Sequence, residues 1–124
     1  VIAVPAAVRI YVAKEPVDLR RGFDGLSAVT RSVLRKDPMS GHIFVFINRR
    51  RNRVKLLVWD RTGFVLIYKK LCRGCFAIPR APDVGREEVE VDAGELALML
   101  EGIEVRGSRK RKRWYHHPSG LTRE

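Results

Sequence analysis

The sequence predicts an α+β fold: a small, mostly antiparallel sheet in meander order, two covering helices and a basic, disordered C-terminal tail. Three observations predict it. Three apolar runs, Ile43–Asn48, Val54–Asp60 and Phe64–Leu71, are rich in Ile, Val, Phe and Trp and are separated only by short polar links, the pattern of strands joined by hairpins. Before them, Leu19, Phe23, Leu26, Val29, Val33 and Leu34 recur at spacings that build one helical stripe. After them, residues 106–124 hold seven cations against one acid and almost no aliphatic side chain, a composition that cannot bury a core. Residues 1–105 are therefore expected to form a single domain and residues 106–124 the tail.

Each element follows from local signals. Val8–Ala13 reads as a first strand, closed by Lys14-Glu15-Pro16. Asp18 is the expected N-cap of a helix over Leu19–Arg35, with Arg20, Arg21, Asp24, Arg31 and Arg35 on its solvated face. Gly22 and Gly25 weaken that helix. They imply close packing, close ligand approach or a late helix start. Asp37-Pro38 stops the helix and Ser40-Gly41 turns the chain. The three strands that follow are linked by Arg49-Arg50-Arg51-Asn52-Arg53 and by Arg61-Thr62-Gly63, links short enough to force antiparallel neighbours. Their apolar character on nearly every position implies a sheet covered on both faces, one by the first helix and the other by the C-terminal helix or a partner protein. Phe76–Pro79 is a candidate short strand, and Val89-Glu90-Val91 a candidate edge strand. Asp92 caps a second helix over Ala93–Glu101, with Glu95 completing a capping box and Gly102 ending it.

Charge bounds the function. Lys and Arg total 25 against 14 Asp and Glu, a net +11 on 124 residues, and the tail supplies +6 of it. A balance this basic favours nucleic acid or an anionic membrane surface. Membrane binding would call for a basic amphipathic helix, whereas the basic clusters here occupy a turn and a tail. No apolar run approaches about 18 residues, and Val1–Val8 lacks the basic n-region of a signal peptide. Two cysteines without an export signal point to the cytoplasm.

The sharpest feature is the turn. Four guanidinium groups in five residues (Arg49, Arg50, Arg51 and Arg53) repel one another unless something acidic compensates them, and arginine's planar fork matches phosphate oxygens. Lys55 follows on the same strand. The tail run Arg109, Lys110, Arg111, Lys112 and Arg113 precedes Trp114-Tyr115, joining cations to rings that stack on bases. These residues, with Arg20 and Arg21 in support, are the candidate DNA contacts. The bland alternatives are a solvated hairpin tip and a solubilising tail.

Other chemistry is weakly signalled. Cys72-Arg-Gly-Cys75 has zinc-knuckle spacing, but only His42, His116 and His117 could complete a four-ligand site. The adjacent histidines are poor ligands, and no βαβ context supports a thioredoxin-like pair. Asp18, Asp24, Asp60 and Glu95 are the acids for a two-metal nuclease, yet Asp18 has a capping role and Asp24 can pair with Arg20 one helical turn away. No metal, cofactor or catalytic residue is expected, and the chain reads as no enzyme.

The residues also carry a resemblance. Val8-Arg-Ile-Tyr11, Asp18-Leu-Arg-Arg-Gly-Phe-Asp-Gly-Leu26, Asp37-Pro-Met-Ser-Gly-His-Ile-Phe-Val-Phe-Ile-Asn-Arg-Arg50, Lys55-Leu-Leu-Val-Trp-Asp-Arg-Thr-Gly-Phe64, Tyr68-Lys-Lys-Leu71 and Leu98-Met-Leu-Glu-Gly-Ile103 together resemble the TnpB-type accessory protein of insertion-sequence family sixty-six, over roughly residues 4–103. Such proteins are encoded beside a larger transposase that carries the acidic catalytic triad. The resemblance implies an accessory role in bacterial DNA transposition, with DNA (element ends or nonspecific duplex) and the transposase subunit as partners. Where the family reads Leu-Glu-x-Gly-x-Phe-x-Trp-Pro, this chain reads Leu71-Cys-Arg-Gly-Cys-Phe-Ala-Ile-Pro79. Both cysteines thus stand where the pattern requires none, and Ile78 replaces an aromatic. Three readings follow: a non-enzymatic DNA-binding accessory protein, an adaptor that meets the transposase through an apolar sheet face, and a small metal-dependent nuclease.

Overall fold

In the computed structural model, the described residues are 5, 7–79 and 85–102. They form strands β1 (Ile10–Ala13), β2 (Ile43–Ile47), β3 (Arg53–Trp59), β4 (Phe64–Lys70) and β5 (Glu88–Val91), with helix α1 (Phe23–Ser32) between β1 and β2 and helix α2 (Ala93–Leu100) after β5. The tail, including Arg109–Arg113, lies outside the described residues.

The sheet is mixed, with order β4-β3-β2-β1-β5. β2, β3 and β4 form the expected antiparallel meander, and β5 is the expected edge strand, antiparallel to β1. β1, however, runs parallel to β2, with Ile10 opposite Ile43 and Val12 opposite Val45. The expectation of a mostly antiparallel sheet is corrected here. The cause is α1: a helical crossover returns the chain to the end of the sheet from which β1 started, and only a parallel partner can follow. A βαβ unit therefore exists after all, although Cys72 and Cys75 lie outside it, exposed and unbridged.

Central position explains β2, whose five residues are all buried. Ile43, Val45 and Ile47 point into a core shared with Val54, Leu56, Phe76, Leu96 and Met99, on the side covered by α2. Phe44 and Phe46 point into the opposite core with Leu19, Leu26 and Leu57, on the side covered by α1. Strand period two thus divides one apolar run between two cores, with one helix packed on each face and β4 left largely open at the sheet edge.

The first helix is shorter than its apolar stripe implies. It begins at Phe23 with Gly22 at the N-cap and no side-chain cap. Asp18 does not cap it. Its carboxylate instead accepts from the backbone N–H of Arg20 at 3.0 Å and from the Arg20 guanidinium at 2.7 Å, closing an Asx turn. Arg20 therefore pairs with Asp18 and not with Asp24. Gly25 has a packing reason, because a Cβ there would lie 2.9 Å from the Cβ of Arg21. The second helix follows its sequence signals: Asp92 and Glu95 form both bonds of the capping box, and Gly102 turns the chain out with φ +81°. Phe76–Pro79 is not a strand. It runs beside the sheet with Phe76 fully buried in the α2-side core. No helix among the described residues is long and apolar enough to cross a membrane.

Candidate nucleic-acid interface

The β2–β3 turn is a built structure. Asn48 organises it: its Oδ1 accepts from the backbone N–H groups of Asn52 and Arg53, each at 3.0 Å, and its Nδ2 donates to Asn52 Oδ1 at 2.8 Å. Arg51 takes a left-handed conformation, φ +60°, which costs a non-glycine residue about 1–2 kcal/mol. That conformation is held from outside the turn as well. The N–H of Phe76 donates to the Arg51 carbonyl at 2.6 Å, and the N–H of Leu71 donates to the Asn52 carbonyl at 2.8 Å. The arginine turn is therefore fastened to the chain that follows β4, and is not a free hairpin tip.

Three segments meet around an open groove of about 840 Å³: the β1–α1 loop, the arginine turn, and the end of the β3–β4 ladder. Among the described residues, its walls carry six cations, Arg20, Arg49, Arg50, Arg53, Lys55 and Lys70, and one carboxylate, Asp18. Cross-strand pairing explains the last group. Arg53 lies opposite Lys70 and Lys55 opposite Tyr68, so alternate residues of both strands face the same side. Arg53 donates to the Tyr68 hydroxyl at 2.7 Å. Lys55 is buried, donates to the Arg21 carbonyl at 2.9 Å and sits 4.9 Å from the centre of the Tyr68 ring.

The one carboxylate is already matched. The side-chain and backbone hydrogen bonds from Arg20 hold the Asp18 carboxyl at about 2, below its ordinary 3.8. Because the folded value is the lower one, this pair contributes stability above pH 3.8 and loses it as pH falls through about 2. A side-chain carboxyl titration by NMR should find the Asp18 midpoint near 2, and a midpoint near 4 would mean the Arg20 pair is absent in solution.

Of the candidate contacts named from the sequence, Arg20, Arg49, Arg50, Arg53 and Lys55 converge on the groove. Arg51 is exposed but does not line it. Arg21 borders a separate small cleft beside Pro16 and Val29, and its carbonyl accepts from Lys55. Arg109, Lys110, Arg111, Lys112 and Arg113 lie outside the described residues. Sequence reasoning missed Asn48, Asn52, Tyr68 and Lys70 as parts of this site. The Arg61-Thr62-Gly63 turn held the signal for two of them, since pairing outward from it sets Tyr68 against Lys55 and Lys70 against Arg53.

The acids weighed for metal chemistry are dispersed. Asp60 closes the β3–β4 turn, accepting from the N–H groups of Thr62 and Gly63, and Glu95 belongs to the α2 capping box. Among the described residues, no three His, Cys, Asp or Glu side chains come together in a metal-holding group.

The family model described as IS66 Orf2 like protein matches residues 8–110. The chain is 38% identical over 97 residues to the uncharacterized protein y4jC of Sinorhizobium fredii (strain NBRC 101917 / NGR234), across 78% of this chain and 80% of that relative. It is 32% identical over 99 residues to the uncharacterized protein y4hO of the same organism, across 80% and 84% of the two chains. No solved structure matches the chain significantly.

Proposed function

The chain belongs to the IS66 Orf2-like family of insertion-sequence accessory proteins, and from that premise we propose that it acts in transposition as a non-enzymatic DNA-binding protein of the cytoplasm. One observation supports this reading above the others: among the described residues, six cations from three chain segments line one groove whose single carboxylate is taken by Arg20. A surface with that much uncompensated positive charge attracts a polyanion, and arginine forks fit phosphate oxygens. The tail run Arg109–Arg113 would extend the contact along the backbone. The separate transposase would supply the cutting chemistry.

The adaptor reading has less apolar sheet face to use than it required, because α1 and α2 pack on the two faces, and Val65 and Tyr68 of β4 are what the sheet still exposes. Phosphate contacts orient a protein without selecting bases, so the groove by itself supports backbone binding.

Fluorescence anisotropy with labelled element-end duplex and scrambled duplex, each across a salt series, tests the proposal. Groove binding should weaken with a slope near one power of salt per neutralised phosphate. Equal affinity for the two duplexes would mean a nonspecific backbone clamp, and tighter binding to the ends would add recognition. Absence of binding to either duplex or to single strands at low salt would overturn the proposal.

A further inference from the structure

Tyr68 is the feature of the groove that phosphate binding leaves unused. The residue is 50% exposed, yet it is held at both ends: the strand ladder fixes its backbone opposite Lys55, and its hydroxyl receives a hydrogen bond from Arg53 at 2.7 Å. The Lys55 ammonium lies 4.9 Å from the ring centre. Lys55 is itself only 9% exposed, and among the described residues its ammonium meets a carbonyl and this ring but no carboxylate. A fixed, half-exposed aromatic ring beside an unneutralised buried cation, walled by arginines, matches both parts of a nucleotide.

We propose that the groove takes single-stranded nucleic acid, with an unpaired base stacked on Tyr68 and the flanking phosphates on Arg49, Arg50 and Lys70. This rests on the nucleic-acid reading above and narrows it. Duplex DNA keeps its base faces covered by neighbouring pairs, so it offers Tyr68 no surface to stack on. An unpaired base presents a free π face whatever its identity, and stacking is correspondingly tolerant of sequence. Because the ring is already fixed by Arg53 and the ladder, stacking immobilises little additional side-chain freedom. The Lys55 cation beneath the same ring system raises the pull on the strand's phosphates.

Two substitutions separate stacking from the Arg53 hydrogen bond. Tyr68→Phe keeps the ring and loses the hydroxyl, while Tyr68→Leu keeps apolar bulk and loses the ring. Binding of the full chain to a labelled 20-nucleotide thymidine strand and to a duplex of equal length would be compared at matched salt, with circular dichroism to verify folding. The wild type should prefer the single strand by roughly tenfold, in line with the stacking of one base. Tyr68→Leu should lose that preference, and Tyr68→Phe, which frees Arg53 from the hydroxyl in the same way, should retain it. Duplex binding equal to or tighter than single-strand binding, or a preference that survives in Tyr68→Leu, would overturn the stacking site while leaving backbone binding in place. Failure of both ligands to bind would remove the wider DNA reading and this one with it. Should Tyr68→Leu not fold, Tyr68→Thr, a residue suited to a strand, removes the ring in its place and should lose the preference in the same way, and survival of the preference there would overturn the site.

Discussion

Replacing Arg49, Arg50 and Arg53 together with alanine is expected to weaken duplex binding by roughly two orders of magnitude near 0.1 M salt and to flatten the salt slope by about three. Both effects share one origin. Each guanidinium seated on a phosphate releases a condensed counterion, so removing three contacts removes affinity and salt dependence together. The groove geometry gives the prediction an internal control. Arg51 belongs to the same run and has the same charge, but it does not line the groove. Arg51→Ala should change affinity several-fold at most, through long-range charge alone. If Arg51→Ala and the triple variant weaken binding in proportion to charge removed, the turn acts as a diffuse basic patch and the groove is not a site. Arg53 also holds the Tyr68 hydroxyl, so the Arg49/Arg50 double variant should be measured beside the triple to keep ring position out of the comparison.

The groove exists because β1 and β2 run parallel, a feature of the sheet that the sequence did not disclose. Parallel neighbours deliver their C-terminal ends to the same edge. The loop after β1, with Asp18 and Arg20, is therefore set beside the turn after β2, with Arg49 and Arg50, and the N–H of Val17 donates to the Ile47 carbonyl at 3.0 Å to fasten them. Had β1 joined the meander antiparallel to β2, Arg20 would stand at the far end of the sheet from the arginine turn. Hairpin links announce their pairing in a few residues, as Arg61-Thr62-Gly63 does. A crossover of the length that joins Ala13 to Ile43 leaves no local signal of which strand it returns to.

What was legible and what was not divides along the same line. Asp92 and Glu95 lie three residues apart and satisfy each other's backbone partners, so the capping box is readable from spacing. Asp18 has the right residue type for a cap, but the nearby Arg20 guanidinium competes for its carboxylate, and Gly22 delays the helix to Phe23. The arginine turn was plain as a charge cluster. Its rigidity was not, because the bonds from Leu71 and Phe76 that hold it come from about twenty residues downstream, across a strand. Five of the candidate contacts gathered in one place, while Tyr68 and Lys70 joined them through cross-strand register that a charge count does not report.

Asn48→Ala should be the most disruptive single change at the site, although it removes no charge. The side chain makes three hydrogen bonds within the turn, each worth about 0.5–1.5 kcal/mol net. Their partial exposure favours the lower part of that range, so a loss of about 2–3 kcal/mol is expected, read from the urea midpoint. The consequence for binding differs in kind from that of the arginine variants. With Asn48 gone, the left-handed Arg51 conformation loses its support on one side, and Arg49 and Arg50 must be ordered again when ligand arrives. Affinity should therefore fall roughly tenfold through the cost of ordering the turn, while the salt slope stays near the wild-type value because every phosphate contact can still form. Asn48→Asp sharpens the argument. It keeps the acceptor for the Asn52 and Arg53 N–H groups, and the Asn52 amide can turn to donate to the new carboxylate, so it should recover most of the stability, but it adds an acid to the groove, which should lower affinity further. Unchanged stability and affinity in Asn48→Ala would mean that Leu71 and Phe76 hold the turn without it.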